Sequence, residues 1–288
     1  MGYTRYIQED RALRSASLGY ATKSANEIFT QSSLKRIHES MSPTGINKRE
    51  CFDSENHPNT IPVILVLDVT GSMGKIPHLL VQDGLPKLME KLLSNGLDDA
   101  SILFLGVGDH TIDRAPLQVG QFESGDAELD LWLTRTWLEG GGGGNEGESY
   151  FLSWYFAANH TVTDAFEKRG EKGFLITVGD EPCLKILPKN VIKELFGDDV
   201  EKSYTDYELL EMVSEKWNVY HLHINHGPRS EKAMGYWKEL LGDHCIEVKD
   251  YKTVPQDISD VILSNGFSPS KKSIPQIDEF IKEDDFIL

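Results

Sequence analysis

The sequence predicts a doubly wound α/β domain, with a mostly parallel central sheet and helices on both faces. Three observations carry that prediction. Apolar runs of strand length recur along the chain, and one of them, IPVILVL over 61–67, is continuous, as in a strand buried on both faces. Between the runs lie stretches with apolar residues at three- and four-residue spacing, the βαβ alternation. Oxygen-bearing side chains gather just after the runs, where open α/β sheets keep their ligand sites.

In chain order, residues 1–60 are polar and irregular in pattern. A helical stretch over 25–38 is ended by Ser42-Pro43-Thr44-Gly45. This segment reads as an extension that packs on the following domain. Strands are predicted over 62–67, 101–107, 173–178, 219–224 and 245–248, with an edge strand over 117–122. Leu85, Leu88, Met89, Leu92 and Leu93 make one helical stripe, which Pro86 breaks or kinks unless it sits in the first turn. Further helices are predicted over 128–138, 148–166, 206–217, 231–241 and 255–263, with right-handed crossovers between parallel strands. The domain spans 61–266. An acidic tail, 267–288, ends in DEFIKEDDFIL and reads either as a docking peptide or as a terminal element packing on its own domain.

The bulk numbers narrow the function classes. Of 288 residues, 39% are apolar, enough for a sizeable core. Acidic residues outnumber basic ones 46 to 29, and the net charge of −17 argues against a nucleic-acid partner and favours a cation or a basic surface. Cys51, Cys183 and Cys245 are scattered and odd in number, which points to reduced thiols and a cytoplasmic setting. The opening MGYTRYIQEDRALR has no apolar signal region. No stretch is long enough to cross a bilayer, so no membrane association is expected.

The most informative motif closes the first strand. Asp68, Thr70 and Ser72, in LDVTGS, fall on the loop at its carboxyl end. One carboxylate and two hydroxyls at alternate positions reach one small volume, and such hard oxygens suit Mg²⁺, with Mn²⁺ or Ca²⁺ as substitutes, better than zinc. Two further loops supply candidates. GGGGGNEGES over 140–149 lets the backbone approach a ligand closely and offers Asn145, Glu146, Glu148 and Ser149. TVGDEP over 177–182 places Asp180 and Glu181 after the strand GFLIT. Asp109, Asp113 and Glu123, after the second strand, are candidates to shape the rim.

Together these loops resemble the metal-ion-dependent adhesion site (MIDAS) of von Willebrand factor A (vWA) domains. There, Asp-x-Ser-x-Ser is followed by Gly-Gly-Thr-Asn and a strand-ending Thr-Asp-Gly. Asp68, Thr70 and Ser72 match the first element. The second aligns as Gly143-Gly144-Asn145, without the threonine, which leaves Asn145, or alternatively Glu148, to supply a side-chain oxygen. The third is shifted, Asp180 arriving after Val178-Gly179. A longer stretch, roughly 41–225, is similar to uncharacterised vWA-like proteins of bacteria and their phages, and this similarity places Arg49 and Asp53 near the site. The resemblance implies a non-enzymatic module that binds Mg²⁺ through Asp68, Thr70, Ser72, Asn145 and Asp180. It also implies a protein partner that offers an acidic residue to the metal, often within an ATPase-associated complex.

Other chemistries fit less well. Asp68-Val69-Thr70-Gly71-Ser72 also resembles the Asp-Lys-Thr-Gly-Thr element of haloacid-dehalogenase-type phosphotransferases, which would make Asp68 a nucleophile. Val69 stands where that element carries a charge, and the glycine loop has no role there. Gly71-Ser72-Met73-Gly74-Lys75 is too short for a P-loop, and Ile76 follows the lysine. His221 and His223 alternate on a strand without a further zinc ligand at the usual spacing, so structural roles are expected. Cys183 is expected to be buried and inert.

Overall fold

The computed structural model describes residues 4–71, 73–140, 147–226 and 230–264. The tail 267–288 therefore lies outside the described residues. Six strands form the central sheet: β1 Ile61–Asp68, β2 Ala100–Val107, β3 Leu117–Val119, β4 Gly173–Gly179, β5 Trp217–Ile224 and β6 Cys245–Val248. Their spatial order is β6-β5-β4-β1-β2-β3, parallel throughout except for the antiparallel edge pair β2–β3. The chain runs outward from β1 to β2 and β3, then returns to β4 on the other side of β1. Strand order thus reverses between β1 and β4, which opens a crevice at their carboxyl ends. The register sets Asp68 beside Val107, Leu67 beside Val178, and Gly179 beside His223, so these residues share the carboxyl edge.

Every residue of β1 and β2 is buried, as their continuous apolar sequences require. Val63, Leu65 and Leu67 face one core and Ile64 and Val66 the other. Helices number in chain order. α1 is Gln8–Leu18; α2 runs as Lys75–Leu79, a π-turn over Leu80–Gly84, and Leu85–Ser94; α3 is Asp126–Thr134; α4 is Phe151–Asn159. α5 is Lys189–Phe196, α6 Asp206–Ser214, α7 Ser230–Leu241 and α8 Val254–Ser264. Helices α2, α3 and α8 close the first core with Tyr6, Tyr20, Ile28 and Phe29. Helices α4 to α7 close the second. Leu85, Leu88, Met89 and Leu92 are buried along α2, each contributing roughly 1.5–3 kcal/mol.

One expectation is met through its stated exception and three are corrected. Pro86 does not break its helix: the π-turn resets the hydrogen-bond ladder just before it, so its missing N–H falls in the first turn of Leu85–Ser94. The helix expected over 148–166 stops at Asn159. The β-branched run Thr161-Val162-Thr163 instead pairs in parallel with Arg49–Cys51, and a short helix, Asp164–Arg169, follows. The stretch 25–38 breaks at Phe29 into Ala25–Ile28 and Thr30–Leu34. Residues 1–60 are not irregular throughout, for α1 is regular. It escapes the periodicity argument because the residue it buries is Arg11, which pairs with Asp130 and donates to Val81 O at 2.5 Å in the π-turn.

Candidate metal centre

Asp68 is the last residue of β1 and is 1% exposed. The chain folds back over it: Oδ1 accepts from the Thr70 amide at 2.9 Å and from Thr70 Oγ1 at 2.7 Å. This local closure is what an aspartate two residues ahead of a threonine favours. Oδ2 accepts from the Tyr150 hydroxyl at 2.9 Å. Ser72 and Asn145 lie outside the described residues.

The segment after the glycine loop crosses the rim. The Ser149 amide donates to Gly108 O, just after β2, at 3.1 Å. The Glu148 amide donates to Pro182 O, and Glu148 O accepts from the Leu184 amide, both at 2.9 Å, just beyond β4. The loops after β2 and β4 are thus tied together across the end of β1, which brings Glu148 and Tyr150 over Asp68. Tyr150 is fully buried. Position 179 must be glycine for this to happen, because a Cβ there would stand 1.8 Å from the Tyr150 hydroxyl oxygen and 3.2 Å from Asp68 Oδ2. Asp180 then emerges directly after β4 and is 9% exposed.

Three acids are therefore buried at one edge: Asp68, Glu148 and Asp180. Burial pushes Asp68 up to about 7; the Asp180 charge adds to this, while the bonds from Thr70 and Tyr150 oppose it. Burial, followed by the charges of Asp68, Asp113, Asp109 and Glu181, pushes Glu148 up to about 10. Tyr150 is held far above the usual phenol range by burial and by Asp68, Glu148 and Asp180. Glu148 Oε2 is buried and accepts no hydrogen bond among the described residues. No lysine or arginine among them pairs with Asp68 or Glu148. An uncompensated carboxylate group of this kind favours a cation.

The Asp68 carboxylate and the Thr70 hydroxyl beside it are oxygens of the hard kind a divalent ion takes, and Glu148 and Asp180 are buried at the same edge. Among the described residues no three His, Cys, Asp or Glu side chains by themselves form a group that could hold an ion. A cation here therefore relies on hydroxyl or amide oxygens as well. Tyr150 had no signal in the sequence, since its role depends on a rim crossing that only the fold creates. Glu148 had one, its place after the glycines.

The remaining candidates lie elsewhere or serve structure. Asp109 holds Thr111, and Asp113 accepts from the Asp109 amide at 2.7 Å, so both brace the loop after β2. Glu123 pairs with Ile102 near the amino end of β2, away from the rim. Asp53 accepts from Thr60 and Arg169, at the amino end of β1. Arg49 pairs alongside Thr161, and its guanidinium packs over Trp132. The expectation that Asp53 approaches the site is thus corrected, since β1 separates it from Asp68 by its whole length, and the partners of Arg49 are none of the site residues. His221 donates to Thr177 Oγ1 at 2.8 Å, because that hydroxyl itself donates to Tyr220 O, and the ring stacks on Trp237. His223 pairs with Ser230 Oγ at 2.9 Å. Burial pushes both imidazoles down, which keeps them neutral. The Cys183 thiol is buried and pushed up by that burial.

No protein-family model matches the chain, and no curated protein matches it. Among solved structures it is similar to the pilus adhesin SpaC from Lactobacillus rhamnosus GG in its open conformation, with TM-score 0.50 and 11% identity over 76% of this chain and 31% of that one. Looser similarity is found to BatB from Bacteroides thetaiotaomicron, TM-score 0.42, 15% identity, covering 71% and 98% of the two chains. The mussel byssus protein PTMP1, in a form with a zinc-occupied MIDAS motif, gives TM-score 0.44 and 10% identity, covering 74% and 48%. The chain spans about a third of the length of the pilus adhesin. At these identities the likeness speaks for the fold alone.

Proposed function

We propose that this chain is a vWA-type interaction module that holds Mg²⁺, or Mn²⁺ or Ca²⁺ in its place, at the carboxyl edge of its sheet. The ion is held by Asp68 and Thr70 with Ser72 and Asp180, and Asn145 or Glu148 supplies the remaining side-chain oxygen. A protein partner fills the open position with an acidic residue, and the module does no chemistry of its own. It works in the cytoplasm, within a larger assembly of the ATPase-associated kind, and binds neither nucleic acid nor membrane. The observation that supports this reading is the Asp68 carboxylate paired with the Thr70 hydroxyl at the carboxyl edge, where Glu148 and Asp180 are also buried and Glu148 Oε2 accepts no hydrogen bond among the described residues.

The residues have definable work. Tyr150 and the Thr70 amide hold the Asp68 carboxylate in place. Gly179 leaves room for the tyrosine. Burial excludes water from Asp68, so a bound ion meets less dielectric screening there. Calorimetric titration of Mg²⁺ and Mn²⁺ into chelator-treated protein tests the proposal. Binding lost in Asp68→Ala supports it, and absence of binding in the parent chain refutes it.

A further inference from the structure

We infer that the chain carries a second ligand site, separate from the Asp68 centre, that takes a small phosphorylated molecule of nucleotide size. The site is a cavity of about 600 Å³ where α2 meets the turn after α1 and the turn Tyr251–Thr253 ahead of α8. That volume lies within the ~300–1,000 Å³ usual for small-molecule pockets. In a chain of net charge −17, its lining is cationic: Lys75, Lys87 and Lys252 against Asp83. Lys87 engages Asp83 at 2.6 Å, which leaves Lys75 and Lys252 without a carboxylate partner among the described residues. The nearby Asp250 is turned onto its own turn, where Oδ1 accepts from the Lys252 amide at 3.0 Å.

Two ammonium groups around one cavity balance a phosphate dianion, which lysine binds as a point charge. Lys75 Nζ lies 5.8 Å from the centroid of the Tyr251 ring. An aromatic face beside the ammonium groups suits a planar ring carried by the same ligand. The walls are held fixed. Gly84 lets α2 touch α8 so closely that a Cβ there would stand 2.9 Å from Pro255 Cγ. Leu79, Gln82 and Asp83 of the lining flank or lie in the π-turn, a distortion that helices keep frequently at functional sites, and Arg11 satisfies Val81 O within it.

The test titrates ADP and inorganic pyrophosphate, with chelator present and no divalent ion, into the full chain and into Lys75→Gln, Lys252→Gln and Tyr251→Ala. Omitting the metal keeps the result independent of the Asp68 centre. The expected result is saturable binding of both ligands, weakened about tenfold by either lysine substitution and weakened further by added salt. Tyr251→Ala should weaken ADP and leave pyrophosphate unchanged. Absence of saturable binding, or binding that both lysine substitutions leave unchanged, would overturn the site. ADP binding unmoved by Tyr251→Ala would overturn the assignment to a ring-bearing ligand. Both lysines are exposed, so circular dichroism should report an unchanged fold.

Discussion

Replacing Gly179 by alanine puts the fold at the site under a specific strain. The new methyl would stand 1.8 Å from the Tyr150 hydroxyl oxygen and 2.8 Å from its Cζ, well inside any tolerated contact. Tyr150 is fully buried, so the ring has no open space to move into. Overpacking of this kind costs roughly 1–3 kcal/mol. Moving the ring also breaks the 2.9 Å bond to Asp68, a further loss of roughly 1.5–3 kcal/mol for a hydrogen bond to a charged group. The expected total is about 2.5–6 kcal/mol. Tyr150→Phe on its own loses only the hydrogen bond, yet in the Gly179→Ala background it removes the atom that clashes most. Urea unfolding of the two single variants and the double should therefore show the double less destabilised than the sum, by at least ~1 kcal/mol. Strict additivity, or a Gly179→Ala variant as stable as the parent, would refute the packing account of position 179.

Three other outcomes follow from the same geometry. The Asp68 carboxyl is raised from 3.8 to about 7 in the folded chain, so its protonated form is favoured by folding. That contribution is complete below about pH 4 and is lost as pH rises through about 7, at most about 4 kcal/mol. Urea unfolding in chelator at pH 5 and pH 8 should show the loss, and Mg²⁺ should recover part of it at pH 8; equal stability at both pH values would contradict the burial argument. Glu148→Gln removes the most strongly raised acid, so the metal-free protein at pH 8 should gain roughly 1–3 kcal/mol by thermal or urea unfolding, while divalent affinity falls. Arg11→Met leaves the Asp130 carboxylate buried with the Tyr20 hydroxyl as its one remaining hydrogen-bond donor among the described residues and frees Val81 O. The loss, read by urea unfolding, should be about 3–5 kcal/mol.

What the sequence disclosed depended on whether local pattern and burial coincide. The strands of the doubly wound sheet were legible because burial on both faces forces continuous apolar runs, as in IPVILVL. The position of Asp68, Thr70 and Asp180 at the carboxyl edge was legible, because an apolar run that ends marks where the strand ends. The π-turn of α2 was not, since it is sustained by Arg11 from a distant helix, and α1 itself buries an ion-paired arginine where a periodicity argument looks for leucine. Tyr150 was hidden for a related reason: its hydroxyl reaches Asp68 only after residues 147–149 bridge the loops of β2 and β4. The split at His160 follows from pairing with Arg49–Cys51, about 110 residues earlier. No window along the chain contains that partner.

The central claim, that the carboxyl edge of the sheet is a divalent-cation site built on Asp68, is tested most directly by calorimetry. Mg²⁺ and Mn²⁺ are titrated into chelator-treated parent chain and Asp68→Ala at pH 7.5 in two buffers of different ionisation enthalpy. The account predicts one site in the parent, release of a fraction of a proton on binding as the remaining protonated Asp68 ionises, with more released where Glu148 is a ligand, and no binding in the variant. Binding without proton release, or binding that survives in Asp68→Ala, would contradict it.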